Sequence, residues 1–434
     1  MVRREVIGLG DYIPIITPIS KVALFLAEIP SNLKRMMADE TIDPFLVEDR
    51  FPNLSGFGGD TNEKEMYLLL SRYDSDIEES VVELVDLQSF DVLHTWNPDI
   101  NSFWEKVDKI EGGKWEHLMR DGNDNRLIMV HPILIEDGSL LFQSNSPLIK
   151  IDKNSELEWM KDDEVYHHSN EEDNEGNFWV CVEYYPYKID SMYVGNKYGN
   201  YNDDGLRKIS SEGEILFDKS VSEIFIENNL KHLLFSIHGH ELETDPIHIN
   251  DIEPVNFDSE FWKKGDVFLS FGHQSMIMLY RPITNEVIWK ISGDFFHQHD
   301  IDILDSKRIS IFNNNRIYTK SGSIVEGNNE ILIYDFEKQK MTSYLRESLI
   351  EYDVRTIGEG LHEIFPNGNL FLEEPNYGRL LYFNSDGSLR WTHVNRGNNG
   401  NVYRLGWSRI LYEDEDIEKV NRFLKIKNEI AHNE

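Results

Sequence analysis

The feature that most constrains this chain is a hairpin that recurs six times: an apolar strand, a polar turn, then a second strand ending in a large apolar residue. The copies are ELVDLQSFDVLHTW ending at Trp96, LIKIDKNSELEW at Trp159, LRKISSEGEILF at Phe217, MLYRPITNEVIW at Trp289, LIYDFEKQKMTSYL at Leu345 and LLYFNSDGSLRW at Trp391. Apolar residues alternate with polar ones along each strand, and the turns draw on Gly, Asn, Asp or Ser, as a two-stranded outer ribbon requires. Their spacing of roughly 45 to 70 residues is too long for helical repeats and suits four-stranded units carrying loop insertions. Six such units predict an all-β chain, a six-bladed β-propeller.

Between consecutive copies lies a second pattern, in which a strand opens with His and soon reaches a turn. It reads VHPILIEDGSLLF from Val130, YHHSNEEDNEGNFWV from Tyr166, HQHDIDILDSKRISIF from His297 and LHEIFPNGNLFLE from Leu361. A looser version, IHINDIEPVNFDSEFWKKGDVFLSF from Ile247, inserts a longer connection. His131, His168, His248, His299 and His362 thus open five of the six inner hairpins. The innermost strand of a blade runs along the central channel, so equivalent strand ends should bring these side chains to one mouth of it.

Acidic residues outnumber basic ones 78 to 43, and the formal net charge is −35. Such a surface repels phosphate backbones and anionic lipid, which argues against a nucleic-acid partner. The single cysteine, Cys181, lies in the apolar strand FWVCVEYY, so no disulfide framework or cysteine metal cluster can form. The acidic run NEEDNEG reads as a solvated loop without calcium-loop spacing.

Residues 1–60 read as a mixed segment packing on the propeller, with a helix near Ile19 to Met37, residues 61–412 as the propeller, and residues 413–434 as an amphipathic helix capping it. The run IPIITPISKVALFLAEIP is interrupted by Pro14, Pro18, Lys21 and Glu28, which is short of a membrane span, and it lacks the ordered regions of a signal peptide. Oligomeric state is not encoded in any pattern.

Clustered neutral imidazoles are good zinc ligands, but histidines spread round a wide channel lie too far apart for one ion, so no metal or other cofactor is expected. Group transfer to an imidazole nucleophile suits them better. Here HQHDIDILDSKRISIFNNN resembles the QHD segment and following strand of bacterial arylsulfotransferases. IHINDIEPV resembles their HGNS-like segment, FLSFGHQSMIMLYRPITNEVIWKISG the strand and "IKWRLG"-like segment between the two, and YHHSNEEDNEGNFWV their earlier HH segment. The resemblance runs over about residues 125–410 with the segments in order.

That resemblance implies a propeller moving a sulfuryl group from a phenolic sulfate ester to a phenol, without a phosphosulfate nucleotide, through a sulfated histidine. Matching places the nucleophile on His299 and the second and third active-site histidines on His248 and His168. His362, His273 and His131 are expected to bind substrate, and Tyr166, Phe295, Phe296 and Tyr377 to stack on an aryl ring. The implied compartment is periplasmic or otherwise extracytoplasmic. One position departs: Gly272 stands where the family carries a sulfate-binding Arg, so either another cation substitutes, with Arg281, Arg379 and Arg404 as candidates, or His273 takes over part of the role, or catalysis is weakened. A non-catalytic propeller serving as a scaffold or ligand-binding protein is the alternative. Activity through an unperturbed imidazole would fall as pH drops through about 6.5.

Overall fold

A computed structural model describes residues 45–107, 118, 122–195, 199–236, 242–320 and 322–431. The helix expected near Ile19 to Met37 lies outside them. The chain divides into Met1–Leu46 and Val47–Glu434, and the second unit holds the repeats.

Six antiparallel sheets form the blades of a propeller. Their inner strands are Arg409–Leu411 (blade 1), Val130–Leu134 (blade 2), Val165–Glu172 (blade 3), Ile249–Pro254 (blade 4), Ile301–Asp305 (blade 5) and Leu361–Ile364 (blade 6). The six repeated hairpins are the two outer strands of each blade, as in Glu79–Asp86 with Asp91–Trp96. The ring closes because Arg409–Leu411, near the end of the chain, pairs with Tyr67–Asp74, putting late sequence inside the first blade. Closure of this kind leaves only short inner edges, protected by the channel, to template other chains.

The large residue ending each repeat is the link between blades. The Trp96 indole N–H donates to Gly138 O of blade 2 at 3.0 Å, and that of Trp159 to Ser211 O of blade 3 at 3.0 Å. Trp391 donates to Asn62 Oδ1 at 2.9 Å, joining blade 6 to the lead-in of blade 1. Trp96 and Trp391 are fully buried, and truncating either to Ala should cost about 3–5 kcal/mol.

Two additions break the regularity. Gly56–Gly59 adds a fifth, outer strand to blade 6 by pairing with Leu389–Val394. In blade 5 a short hairpin, Arg316–Thr319 with Gly322–Val325, is inserted between the second and third strands. A helix spans Asp414–Ala431, begins with three acidic residues that favour its dipole, and buries Val420 and Phe423. The Phe423 ring stacks on Trp96 at 5.6 Å.

NEEDNEG is not a solvated loop. Asn170, Glu171 and Glu172 belong to the inner strand of blade 3, Asn170 is fully buried, and Glu171 pairs with Arg409 across the channel at 3.0 Å. Only the turn after Glu172 is loop. The acidic letters disguised an inner strand, because a channel-facing position rewards a paired carboxylate as well as an apolar residue.

Candidate active site

Each inner strand has a residue with a left-handed backbone just before it or in its first half: Trp407 (φ +62°), His131 (+48°), His168 (+58°), His248 (+53°), His297 (+53°) and Glu359 (+58°). Such a conformation costs a non-glycine residue of order 1–3 kcal/mol, and a strain repeated in every blade shows that the ring imposes it. It also fixes the register. His297, rather than His299, is the equivalent of His131, His168 and His248. His299 lies two residues further along, and His362 three residues beyond Glu359.

Three blades bring their imidazoles together. The His168 ring lies 5.1 Å from His248 and 6.3 Å from His299. His248 stacks on His273 at 4.4 Å and lies 6.0 Å from His297, which is 5.8 Å from His299. Trp407, from blade 1, lies under the group at 6.4 Å from His168 and 6.3 Å from His299. His168, His248, His299 and His273 therefore share one mouth, joined by His297.

His299 is buried and held at both nitrogens. Its Nδ1 donates to Asn314 Oδ1 at 2.7 Å, and its Nε2 accepts the Glu359 backbone N–H at 2.9 Å, so the lone pair is assigned to Nε2. Asn314 is fixed in turn by donating to Glu359 O at 2.7 Å. Gly358 and Gly360 flank the capping N–H, and the Glu359 carboxylate pairs with Arg404. Burial drives the His299 imidazole down to about 3 and that of His297 to about 2, with neighbouring rings and the Arg316 guanidinium adding to both. His168 is held well below the ordinary value by burial and by four surrounding imidazoles. Burial thus keeps His168, His297 and His299 neutral well below the 6.5 of a free imidazole.

Gly272 has a steric reason. A Cβ there would stand 2.6 Å from Asn250 Nδ2 and 3.3 Å from His297 Nδ1, so the space an arginine would enter holds the Asn250 amide. That amide donates to Gln298 O at 2.7 Å and ties blade 4 to blade 5. Of the replacement cations, Arg281 is paired to Asp266 at 2.7 Å and Arg379 is buried on Glu374, both away from the cluster. Arg404 reaches it only through Glu359. The cation that faces the histidines is Arg316, in the inserted hairpin, where it lies 4.8 Å from the Tyr318 ring and donates to Ser323 Oγ at 3.1 Å. Tyr318 Oη is 3.2 Å from His297 Nε2. Sequence reasoning passed over Arg316, Asn314 and Trp407. The NNN run after the blade 5 strand was the available signal for Asn314, whereas an insertion has no counterpart in the repeat to reveal Arg316.

His131 and His362 lie apart from this group. His131 packs against Trp407 at 5.3 Å with the Arg409 guanidinium 2.8 Å from its Nε2. His362 is fully buried and its Nδ1 is 2.6 Å from Asp300 Oδ2. Both line a cavity of about 1020 Å³ in the channel, among Glu171, Glu253, Asp302 and Glu363. Of the proposed stacking rings, Tyr166 and Phe295 are core, and Tyr377 packs under Arg50 at 4.4 Å. Phe296 is exposed beside His297. Cys181 is buried, and burial raises its thiol well above the ordinary range.

At the mouth, Asp245, His248 and His273 are close enough to share an ion, with His248 Nδ1 3.0 Å and His273 Nδ1 3.5 Å from Asp245 Oδ2. Both Nδ1 atoms already find acceptors on Asp245, which accounts for the arrangement without a metal.

Among described residues no helix is long and apolar enough to cross a membrane. No sequence among the curated proteins matches the chain. Among solved structures it is similar to a protein of unknown function from Bacteroides caccae (9% identity, TM-score 0.49, 81% of this chain and 100% of that one). It is also similar to Kuenenia stuttgartiensis hydrazine synthase (10% identity, TM-score 0.40, 70% and 71%) and to a streptogramin B lyase (10% identity, TM-score 0.37, 84% and 97%). The arylsulfotransferase (ASST) family profile matches residues 131–396, from the His131 strand of blade 2 to the last strands of blade 6, and the chain belongs to that family.

Proposed function

We propose that the protein transfers a sulfuryl group between phenols through a covalent histidine intermediate, in an extracytoplasmic compartment. The observation that carries this is the convergence of imidazoles from blades 3, 4 and 5 on one mouth, with ring centroids 4.4–6.3 Å apart.

Sulfuryl transfer behaves like its phosphoryl analogue: charge spreads over peripheral oxygens, nucleophile and leaving group lie in line, and catalysis is mostly positioning and electrostatics. His299 Nε2 forms the N–S bond as the S–O bond to the donor phenol breaks, and the phenolate takes the departing electron pair. Asn314 holds the Nδ1 proton and steadies the charge that develops on the ring. Since the Glu359 N–H occupies the Nε2 lone pair, the turn between Gly358 and Gly360 must yield as substrate enters. His168 and His248 hydrogen-bond the transferring oxygens, and the departing phenolate takes its proton from solvent. Arg316 supplies the cation that the family places at Gly272, and Phe296 and Tyr318 border the aryl group. An acceptor phenol then attacks the sulfated imidazole by the reverse path.

The test is 4-nitrophenyl sulfate with phenol, following nitrophenolate, beside His299→Ala. Phenol-dependent release that drops about 10³-fold or more in the variant supports the reading. Gly272 favours a second reading, a non-catalytic ligand-binding propeller, and release by neither protein would establish that instead.

A further inference from the structure

The other half of the channel has a chemistry that sulfuryl transfer does not use. Beyond Trp407 and His131, the inner strands of blades 3 to 6 contribute Glu171, Glu253, Asp300, Asp302 and Glu363 to the cavity. The cations that line it are already paired, Arg409 with Glu171, Lys419 with Glu172 and Lys150 with Glu158.

Within this group one imidazole is prepared as a ligand. His362 has no exposed side-chain surface. Its backbone N–H and its Nδ1 both meet Asp300 Oδ2, at 2.8 and 2.6 Å, which fixes the Nδ1–H tautomer and leaves the lone pair on Nε2. Among the described residues Nε2 has no hydrogen-bond partner, and neither has Asp302 Oδ2, which it faces at 3.3 Å. Two buried acceptors pointed at each other need a proton or a metal cation between them. A carboxylate behind a histidine whose far nitrogen is bare is the arrangement that orients and strengthens imidazole metal ligands.

We propose that the acidic half of the channel binds a divalent transition-metal cation, with His362 Nε2 and an Asp302 carboxylate oxygen as ligands and Asp300 holding the imidazole from behind. A mixed nitrogen and oxygen donor set suits zinc or cobalt rather than calcium or magnesium. Glu253 and Glu363 line the same cavity and are the carboxylates available to complete the shell with water. The site stands independently of the sulfuryl-transfer reading, because it uses none of the residues of the histidine mouth.

The experiment titrates the full-length protein, stripped with chelator, with Zn²⁺ and in parallel with Co²⁺. Binding is read as metal retained after dialysis and as the visible absorption of Co²⁺. The expected result is one tightly held equivalent, lost in His362→Gln and in Asp302→Asn, weakened about 10- to 100-fold in Asp300→Asn, and unchanged in the mouth variant His273→Asn. Circular dichroism of each variant separates loss of the ligand from loss of the fold. The proposal is overturned if the stripped protein retains no metal, meaning that a proton on Asp302 bridges to His362. It is also overturned if binding survives in a folded Asp302→Asn protein, or disappears in His273→Asn, which would place the ion at Asp245, His248 and His273.

Discussion

The two halves of the channel are built from the same six strands and carry opposite chemistry. At the mouth, His168, His248, His297 and His299 present imidazole rings with Arg316 and backbone N–H groups nearby. Past Trp407, the same strands a few residues later present carboxylates. The propeller explains how both arise: along an inner strand the channel-facing positions recur with the strand period, so one strand fills two layers of different composition. In blade 5, His299 lies in the upper layer just before the strand, and Asp302, within it, lies in the lower. Under the proposed reaction, the acidic half repels a sulfate ester and the histidine end admits it, so the net charge of −35 does not exclude an anionic substrate.

The contrast predicts, first, that Arg316→Ala lowers kcat for aryl sulfate about 10²-fold with the fold intact, as expected for losing a charged donor to the transferring oxygens. Steady-state kinetics check it, and Arg316→Lys should recover part of the loss. A change confined to KM would mean that the guanidinium binds substrate and transition state alike.

A smaller effect concerns pH. Because burial drives His299 to about 3 and holds His168 well below the ordinary imidazole value, both remain neutral in mild acid. The rate should change less than about twofold between pH 7 and 5, where an imidazole of ordinary pKa would lose about 25-fold. The same shifts act on stability: the unfolded chain takes up protons below about 6.5 while these native rings do not. Their contribution is therefore present above that pH and declines as pH falls toward the folded values. A pH–rate profile beside thermal unfolding at each pH separates the two.

The smallest effect is at Gly272. Restoring the family residue, Gly272→Arg, forces the Asn250 amide from its bond to Gln298 O and should destabilise the protein by about 1–3 kcal/mol without raising activity. Denaturant unfolding and the nitrophenolate assay test both parts. A gain in activity would show that Arg316 had not replaced the missing cation.

The same layering sets how much of the molecule is legible in its sequence. All six outer hairpins were visible, since their alternation and closing aromatic residues reflect packing between neighbouring blades. The convergence of His168, His248 and His299 was also legible, because repeat position and family motif pointed to the same strand ends. His362 was not separable from them by eye. A His near a strand start looks the same whether it sits at the left-handed entry position or three residues later, and that offset moves it into the acidic layer. NEEDNEG was hidden for the converse reason, because an inner strand that faces a charged channel lacks the apolar alternation of a core strand. Arg316 lies in an inserted hairpin, outside any repeat.

The central claim is that the imidazoles gathered at one mouth carry a sulfuryl group. Mass spectrometry of protein treated with an aryl sulfate, in the absence of acceptor, tests it most directly. The account predicts one added sulfuryl group, localised by fragmentation to His299 and removed on adding a phenol. No adduct, or an adduct on a residue outside the histidine cluster, would contradict it.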